Sequence, residues 1–194
     1  MFNMYGPRIR PIPSNTAVAD TAFLQHLEPM SVYRQVVTRL SILCGATAQT
    51  LSVMNALART TTSAAALISQ KVLDLTADPG VGTVAGVIAS GDYCIVELET
   101  GVHQVNKVDS VATLAITFID DFEAAVSKGA KVYFYGTEGD GHEQVAVASG
   151  GETIFESSEG WFVAKNAGYP LLFHLNNATD ACILEGGVVT HTTS

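Results

Sequence analysis

The chain has 194 residues, of which 47% are hydrophobic and 15% charged, with a net charge of -9. A charged fraction well below the usual ~25%, beside ordinary apolar content, excludes global disorder. No run reaches the ~20 apolar residues that a bilayer-spanning helix needs.

The length suits one domain or two small ones. Residues 1–8 lack the basic-then-apolar order of a secretory signal, so the expectation is a soluble chain used as made. Cys44, Cys94 and Cys182 are widely spaced and form no Cys-x-x-Cys pair. They exclude a disulfide-rich scaffold and read as small buried hydrophobes in a reducing compartment.

The first fifteen residues hold three of the six prolines (Pro7, Pro11 and Pro13) with Gly6, Ser14 and Asn15. Proline donates no ladder hydrogen bond and pushes its predecessor to extended geometry. The expectation is an extended N-terminal arm over 1–15, without a core of its own, ahead of a β-rich body over 16–194 with a possible sub-boundary near 78–91. Tyr5, Arg8, Arg10, Pro11 and Pro13 are its candidate partner-binding residues. Residues 16–29 suit a short helix with Phe23, Leu24 and Leu27 on one side, ended by Pro29.

From Ser31 onward the dominant period is two. Over 32–44, Val36, Thr38, Leu40 and Ile42 share one face while Val37, Arg39, Ser41 and Leu43 share the other, as in a strand with one apolar side. Thr50 to Asn55 resumes the alternation, the alanine-rich stretch 63–70 is undecided, and 71–75 reads as a strand closed by Asp78-Pro79-Gly80. Further strands are expected at 92–99, 102–108, 112–118, 131–135, 144–148, 153–155, 160–164, 171–174 and 182–190. Glycine-rich turns separate them. Short strands at such spacing indicate a mainly β, antiparallel sandwich or barrel. One further helix is expected at 120–128, with Asp120 and Asp121 in its first turn and Gly129 as its stop.

The charge is uneven. Residues 1–71 carry six basic groups and two acidic ones, whereas 72–194 carry four lysines against seventeen acids, and every arginine lies at or before Arg59. This split suits a basic end meeting an acidic body of another copy or partner. The acidic body disfavours nucleic acid, and there is no basic-aromatic stripe.

Motifs for chemistry are sparse. Gly80-Val81-Gly82-Thr83-Val84-Ala85-Gly86 has the wrong glycine offsets for a dinucleotide loop and no following helix, so it reads as a turn. Thr137-Glu138-Gly139-Asp140-Gly141-His142-Glu143 clusters three carboxylates and an imidazole without the alternating acid ladder of a calcium loop, so it reads as an acidic hairpin tip, with a weak divalent-cation site as the alternative. No Gly-x-Ser-x-Gly elbow occurs, and His26, His103, His142, His174 and His191 form no His-x-x-x-His pair. Glu97 and Glu99 alternate with apolar neighbours on the wet side of a strand. No enzyme centre, cofactor or metal site is expected. A carbohydrate-binding sandwich would need grouped exposed aromatics, and Trp161 has only Phe162 beside it.

Several phrases resemble those of tailed-bacteriophage virion proteins, namely small capsid decoration (cement) proteins and related head or coat components. They are Leu75-Thr76-Ala77-Asp78-Pro79-Gly80, Ile88-Ala89-Ser90-Gly91-Asp92-Tyr93, Gly101-Val102-His103, Lys128-Gly129-Ala130-Lys131-Val132-Tyr133-Phe134-Tyr135-Gly136, and the stretch 169–181 that opens Tyr169-Pro170-Leu171. The resemblance carries no catalytic residues. It implies a β-rich protein made in the host cytoplasm and placed on the capsid exterior. It also implies a homo-oligomer, by analogy a trimer, bound to the major capsid protein across capsomers through an N-terminal arm. A tail or head-completion component is the alternative within virion proteins.

Overall fold

The computed structural model describes residues 10–12, 15–16, 23–27, 34–77, 88–136, 142–157, 162–176 and 182–192, with side chains over 34–77, 88–136, 146–157 and 162–174. The described residues contain strands and no helix. Two compact units divide the chain. Residues 1–55 and 142–194 form one, and residues 56–141 are inserted into it as the other.

The first unit contains β1 (Arg10–Ile12), β2 (Asn15–Thr16), β3 (Phe23–Leu27), β4 (Arg34–Cys44) and β5 (Gln49–Met54) before the insertion. The inserted unit holds β6 (Ala58–Thr61), β7 (Val72–Asp74), β8 (Tyr93–Glu97), β9 (His103–Ala112), β10 (Ala115–Phe118) and β11 (Lys131–Tyr135). The first unit then resumes with β12 (His142–Val147), β13 (Glu152–Glu156), β14 (Phe162–Val163), β15 (Leu171–Asn176) and β16 (Cys182–Thr192).

Its strands make two antiparallel sheets. One runs β1-β16-β4-β13, with β2 also on β16 and β14 also on β4; the other runs β12-β5-β15-β3. With β1 and β2 counted as one strand, and β13 and β14 as another, the eight strands fall in the order 1-8-3-6 and 5-4-7-2. This is the jelly-roll arrangement of two interlocked Greek keys. Among the described residues the core is apolar: Val37, Leu40, Ile42 and Cys44 of β4 cluster with Leu51, Val53, Val147, Leu171 and Phe173, together with Phe155, Phe162 and Ala164.

β4 departs from simple alternation. Arg39 pairs with Val188 but Val37 pairs with Val189, leaving Thr38 as an extra residue. Such a bulge reverses the parity of every residue beyond it. Val37 therefore enters the core with Leu40 and Ile42, and Val36 and Thr38 do not share their face, contrary to the expectation from alternation. A second bulge at Glu185 of β16 separates the Leu184–Ile42 and Gly186–Ser41 pairs.

The expected helix over 16–29 is corrected over its described part: Asn15–Thr16 and Phe23–Leu27 are strands, the latter paired residue for residue with β15. A pattern as short as Phe23, Leu24, Leu27 fits either period, and the free edge of β15 decides it. Pro29 lies outside the described residues.

The inserted unit is a six-stranded antiparallel sheet in the order β6-β11-β8-β9-β10-β7. Its two end strands meet. Thr62 bridges Leu75, the Ser63 N–H donates to the Asp74 carbonyl at 2.8 Å, and the Thr76 N–H donates to the Thr61 carbonyl at 2.8 Å. The sheet thus curls back on itself around Leu73, Cys94, Val96, Val108, Ile116, Phe118, Val132 and Phe134. An extra residue in β9, Asp109, lets the register step from Thr117–Ser110 to Phe118–Val108 at the bend.

The helix expected at 120–128 is also absent. This segment is an extended strap whose backbone groups find partners that a helix could not use. The Phe122 N–H donates to Gln70 O, the Ser69 N–H to Phe122 O, and Ala66 and Val126 exchange both bonds, at 2.8–3.0 Å. Phe122 thereby reaches the core edge-on to Phe118, with ring centroids 5.6 Å apart. Gly129, expected as a helix stop, instead supplies φ +84° in the turn closed by Ala130 N–H to Ser127 O at 3.1 Å. The left-handed requirement is the same, and only its setting differs. The stretch 63–70 is likewise a bridge and a turn.

Candidate interaction surface

The histidines lie at separate positions among the described strands. His103 is buried beside Tyr133, with ring centroids 6.3 Å apart at 49°. His174 is the register partner of Leu24 and Ser52, His26 of Leu172, His142 of Met54, and His191 of Gln35. Among the described residues no group of three or more His, Cys, Asp or Glu could hold a metal ion. Residues 80–86, 138–141 and Trp161 lie outside the described residues, so of the acidic tip only the backbone of His142 and Glu143, opening β12, is placed.

Carboxylates and amides of the inserted unit serve the fold. Glu97 accepts the Lys131 N–H at 3.2 Å and lies 3.8 Å from its Nζ, while Glu99 accepts the Ser127 hydroxyl at 3.0 Å. Gln104 and Asn106, opposite Val96 and Cys94 on the inner face of β9, hold the strap. Gln104 donates to Asp121 O at 2.9 Å and accepts the Glu123 N–H at 3.0 Å. Asn106 donates to Asp120 O at 2.7 Å and accepts the Asp120 N–H at 3.2 Å and the Lys107 N–H at 2.8 Å. Sequence reading missed both. Their signal is a polar residue at an inward position of an otherwise apolar alternation.

Burial also sets protonation. It pushes the Cys94 thiol well above its ordinary value, and raises Tyr93. Tyr135 is pushed well up, chiefly by burial and further by the neighbouring Cys94 and Tyr133. These groups are held neutral.

What the described surface offers is contact area. Because β13 pairs with β4, Glu152, Ile154 and Glu156 share the outer face with Leu43, Ser41 and Arg39, and Val163 joins them opposite Val36. Ile154 (48% exposed), Val163 and Leu43 are the apolar members; the Ser41 hydroxyl donates to the Glu152 carboxylate. On the inserted unit, Leu67 and Ile68 are 66% and 59% exposed. They sit in a turn closed by the Gln70 N–H to Leu67 O at 3.2 Å and by the Leu67 N–H to the Gln70 side chain at 2.7 Å. Ser69 completes that turn at φ 66°, a left-handed conformation seldom adopted by non-glycine residues. Single exposed apolar residues are ordinary, and Leu67 and Ile68 differ in lying side by side.

Of the candidate arm residues, Arg10 and Pro11 lie in β1, whose partners on β16 are Val189 and Val188. Tyr5, Arg8 and Pro13 lie outside the described residues. Pro11 at the edge of a sheet is where proline is tolerated and where it discourages a further strand.

The fold defines the class of the protein as a jelly roll carrying an inserted, curled β-sheet. No family model and no curated protein matches the sequence. Among solved structures, the chain is similar to VP17, a capsid protein of bacteriophage P23-77, at 10% identity over 96% of both chains and a TM-score of 0.22. It is also similar to the complex of the two major capsid proteins of that phage, VP16 and VP17, at 8% identity over 97% of this chain and 100% of that chain, with a TM-score of 0.23. TM-scores of this size lie below what a shared fold requires.

Proposed function

We propose that the chain is a non-enzymatic structural protein of a virus capsid, acting by burying surface against neighbouring subunits. The observation that carries this reading is the strand order of the first unit, since the jelly roll is a recurring architecture of virus shells. The same architecture serves lectins and cupins, but a cupin uses the space between the sheets. Here Leu40, Leu51, Phe162, Phe173 and their neighbours occupy the described part of that space. The resemblance of residues 75–181 to phage decoration and coat proteins points the same way.

The finer reading is cementing on the capsid exterior, with the major capsid protein as partner and self-association into oligomers. The segment bearing Tyr5, Arg8, Arg10, Pro11 and Pro13 then docks on a neighbouring subunit. Within that segment Arg10–Ile12 and Asn15 pair with β16, and an extended chain reaches about 3.3–3.6 Å per residue. Weak contacts of this kind multiply once the first is made. A lattice-forming coat subunit is the second reading, favoured by the jelly-roll order itself.

Quantifying the chain in purified virus particles tests the proposal. Many copies per particle are expected, and absence from particles overturns it. Gentle dissociation separates the readings: a cement leaves a closed shell behind, a coat subunit does not. A few copies only would indicate a tail or head-completion component. Deleting residues 1–9 is expected to weaken particle binding, and unchanged binding would remove the arm from the mechanism.

A further inference from the structure

We propose that Cys44 and Cys182 are joined by a cross-strand disulfide once the protein leaves a reducing compartment. β4 ends at Cys44, β16 begins at Cys182, and the two residues are direct register partners in the antiparallel pair. The hydrogen-bond pattern fixes which kind of pair they form. The Cys44 N–H donates to Gly151 O at 3.3 Å, on the flank of β4 that carries β13. A strand residue points its N–H and C=O to the same flank, so Cys44 exchanges no ladder bond with β16. Cys44 and Cys182 are therefore a non-hydrogen-bonded pair. Such pairs hold their Cα atoms about 4.5 Å apart with both residues on one face. That lies inside the ~4.4–6.8 Å separation a disulfide spans.

The surroundings agree. Cys44 is buried in the sandwich interior, and the register places Cys182 directly opposite it. Both residues terminate their strands, and strand ends open locally without global unfolding, which admits an oxidant. Cys94 is buried in the inserted unit and held as a neutral thiol, so it does not compete.

The chemistry balances with a low-molecular-weight disulfide as oxidant. A thiolate of one cysteine attacks it and expels one small thiol, leaving a mixed disulfide. The second cysteine, losing its proton, attacks the protein sulfur and expels the other small thiol. Two protein thiols are oxidised and one small disulfide is reduced to two thiols. The glutathione poise of a cytoplasm keeps the pair reduced, whereas a particle outside the cell meets oxidising conditions. Closure links the third strand of the jelly roll to its last across the whole insertion. Such a long loop constrains the unfolded chain strongly.

The test is oxidation of the purified native chain with glutathione disulfide, followed by thiol alkylation in denaturant and mass spectrometry. Expected are a mass about 2 Da lower before alkylation, a single alkylatable thiol at Cys94, and a linked peptide pair containing residues 44 and 182. The Tm should rise on the order of 10 °C over the reduced form. The Cys94→Ala variant should behave identically, while Cys182→Ser, and separately Cys44→Ala, should remove the linkage and the shift. Three alkylatable thiols after exhaustive oxidation of the native chain, or linkage only through Cys94 or between chains, would overturn the proposal. Because the readout is the bond itself, the outcome is independent of whether the protein belongs to a capsid.

Discussion

Asn106 concentrates more structural consequence than any motif the sequence advertises. Its amide makes three hydrogen bonds from a buried position and fixes the start of the 120–126 strap. Asn106→Ala removes these bonds from the backbone of Asp120, which is itself exposed, so each lost bond costs its net contribution of about 0.5–1.5 kcal/mol. Urea unfolding is expected to show a loss of roughly 2–3 kcal/mol, and a change under 0.5 would mean that the strap is held otherwise. Protonation is also a residue-scale matter. Cys94 and Tyr135 have ordinary values of 9.0 and 10.0, and burial raises both in the folded chain. Above its ordinary value such a group stays protonated in the native state while the unfolded state loses the proton. The stabilisation is therefore complete below about pH 9 and drains away as pH climbs through the raised values. The urea midpoint of the reduced protein should fall steeply on the alkaline side, and a Cys94→Ala, Tyr135→Phe double variant should flatten the fall.

At the scale of elements, the alternation of β4 was legible but its parity was not. A one-residue bulge leaves no mark in composition, and only the pairing of β16 reveals that Thr38 is the extra residue. Val37→Ala should therefore cost about 2–4 kcal/mol, whereas Thr38→Ala should cost under about 1 kcal/mol. Equal effects in denaturant titrations would place Thr38 in the core and deny the bulge. The strap teaches the converse lesson. Residues 120–128 satisfy local helix rules, with acids first and glycine last, yet Gln70, Gln104 and Asn106 offer its backbone better-placed partners across the inserted unit. Local propensity is a weak prior of a few tenths of a kcal/mol per residue, and several long-range hydrogen bonds plus burial of Phe122 outweigh it.

At the scale of the whole molecule, the insertion enters and leaves the jelly roll at one point. Met54 ends β5, His142 begins β12, and they are register partners. Replacing residues 56–141 with a single glycine would give Met54-Asn55-Gly-His142, an Asn-Gly pair suited to a two-residue hairpin turn. The shortened chain is expected to fold with a β-sheet circular dichroism spectrum and one cooperative thermal transition. A molten spectrum without cooperative unfolding would show that the jelly roll needs its insertion.

Sequence alone settled that this is a mainly β, antiparallel protein, because period-two alternation and glycine turns are written locally. Lys131–Tyr135 was bounded correctly by that rule, and most other strands within a few residues. Which strands pair, where parity flips, and how two cysteines 138 positions apart become neighbours were decided only by tertiary structure. Pairing is a contest among distant segments for the same hydrogen bonds and the same buried space, and no single segment carries its outcome.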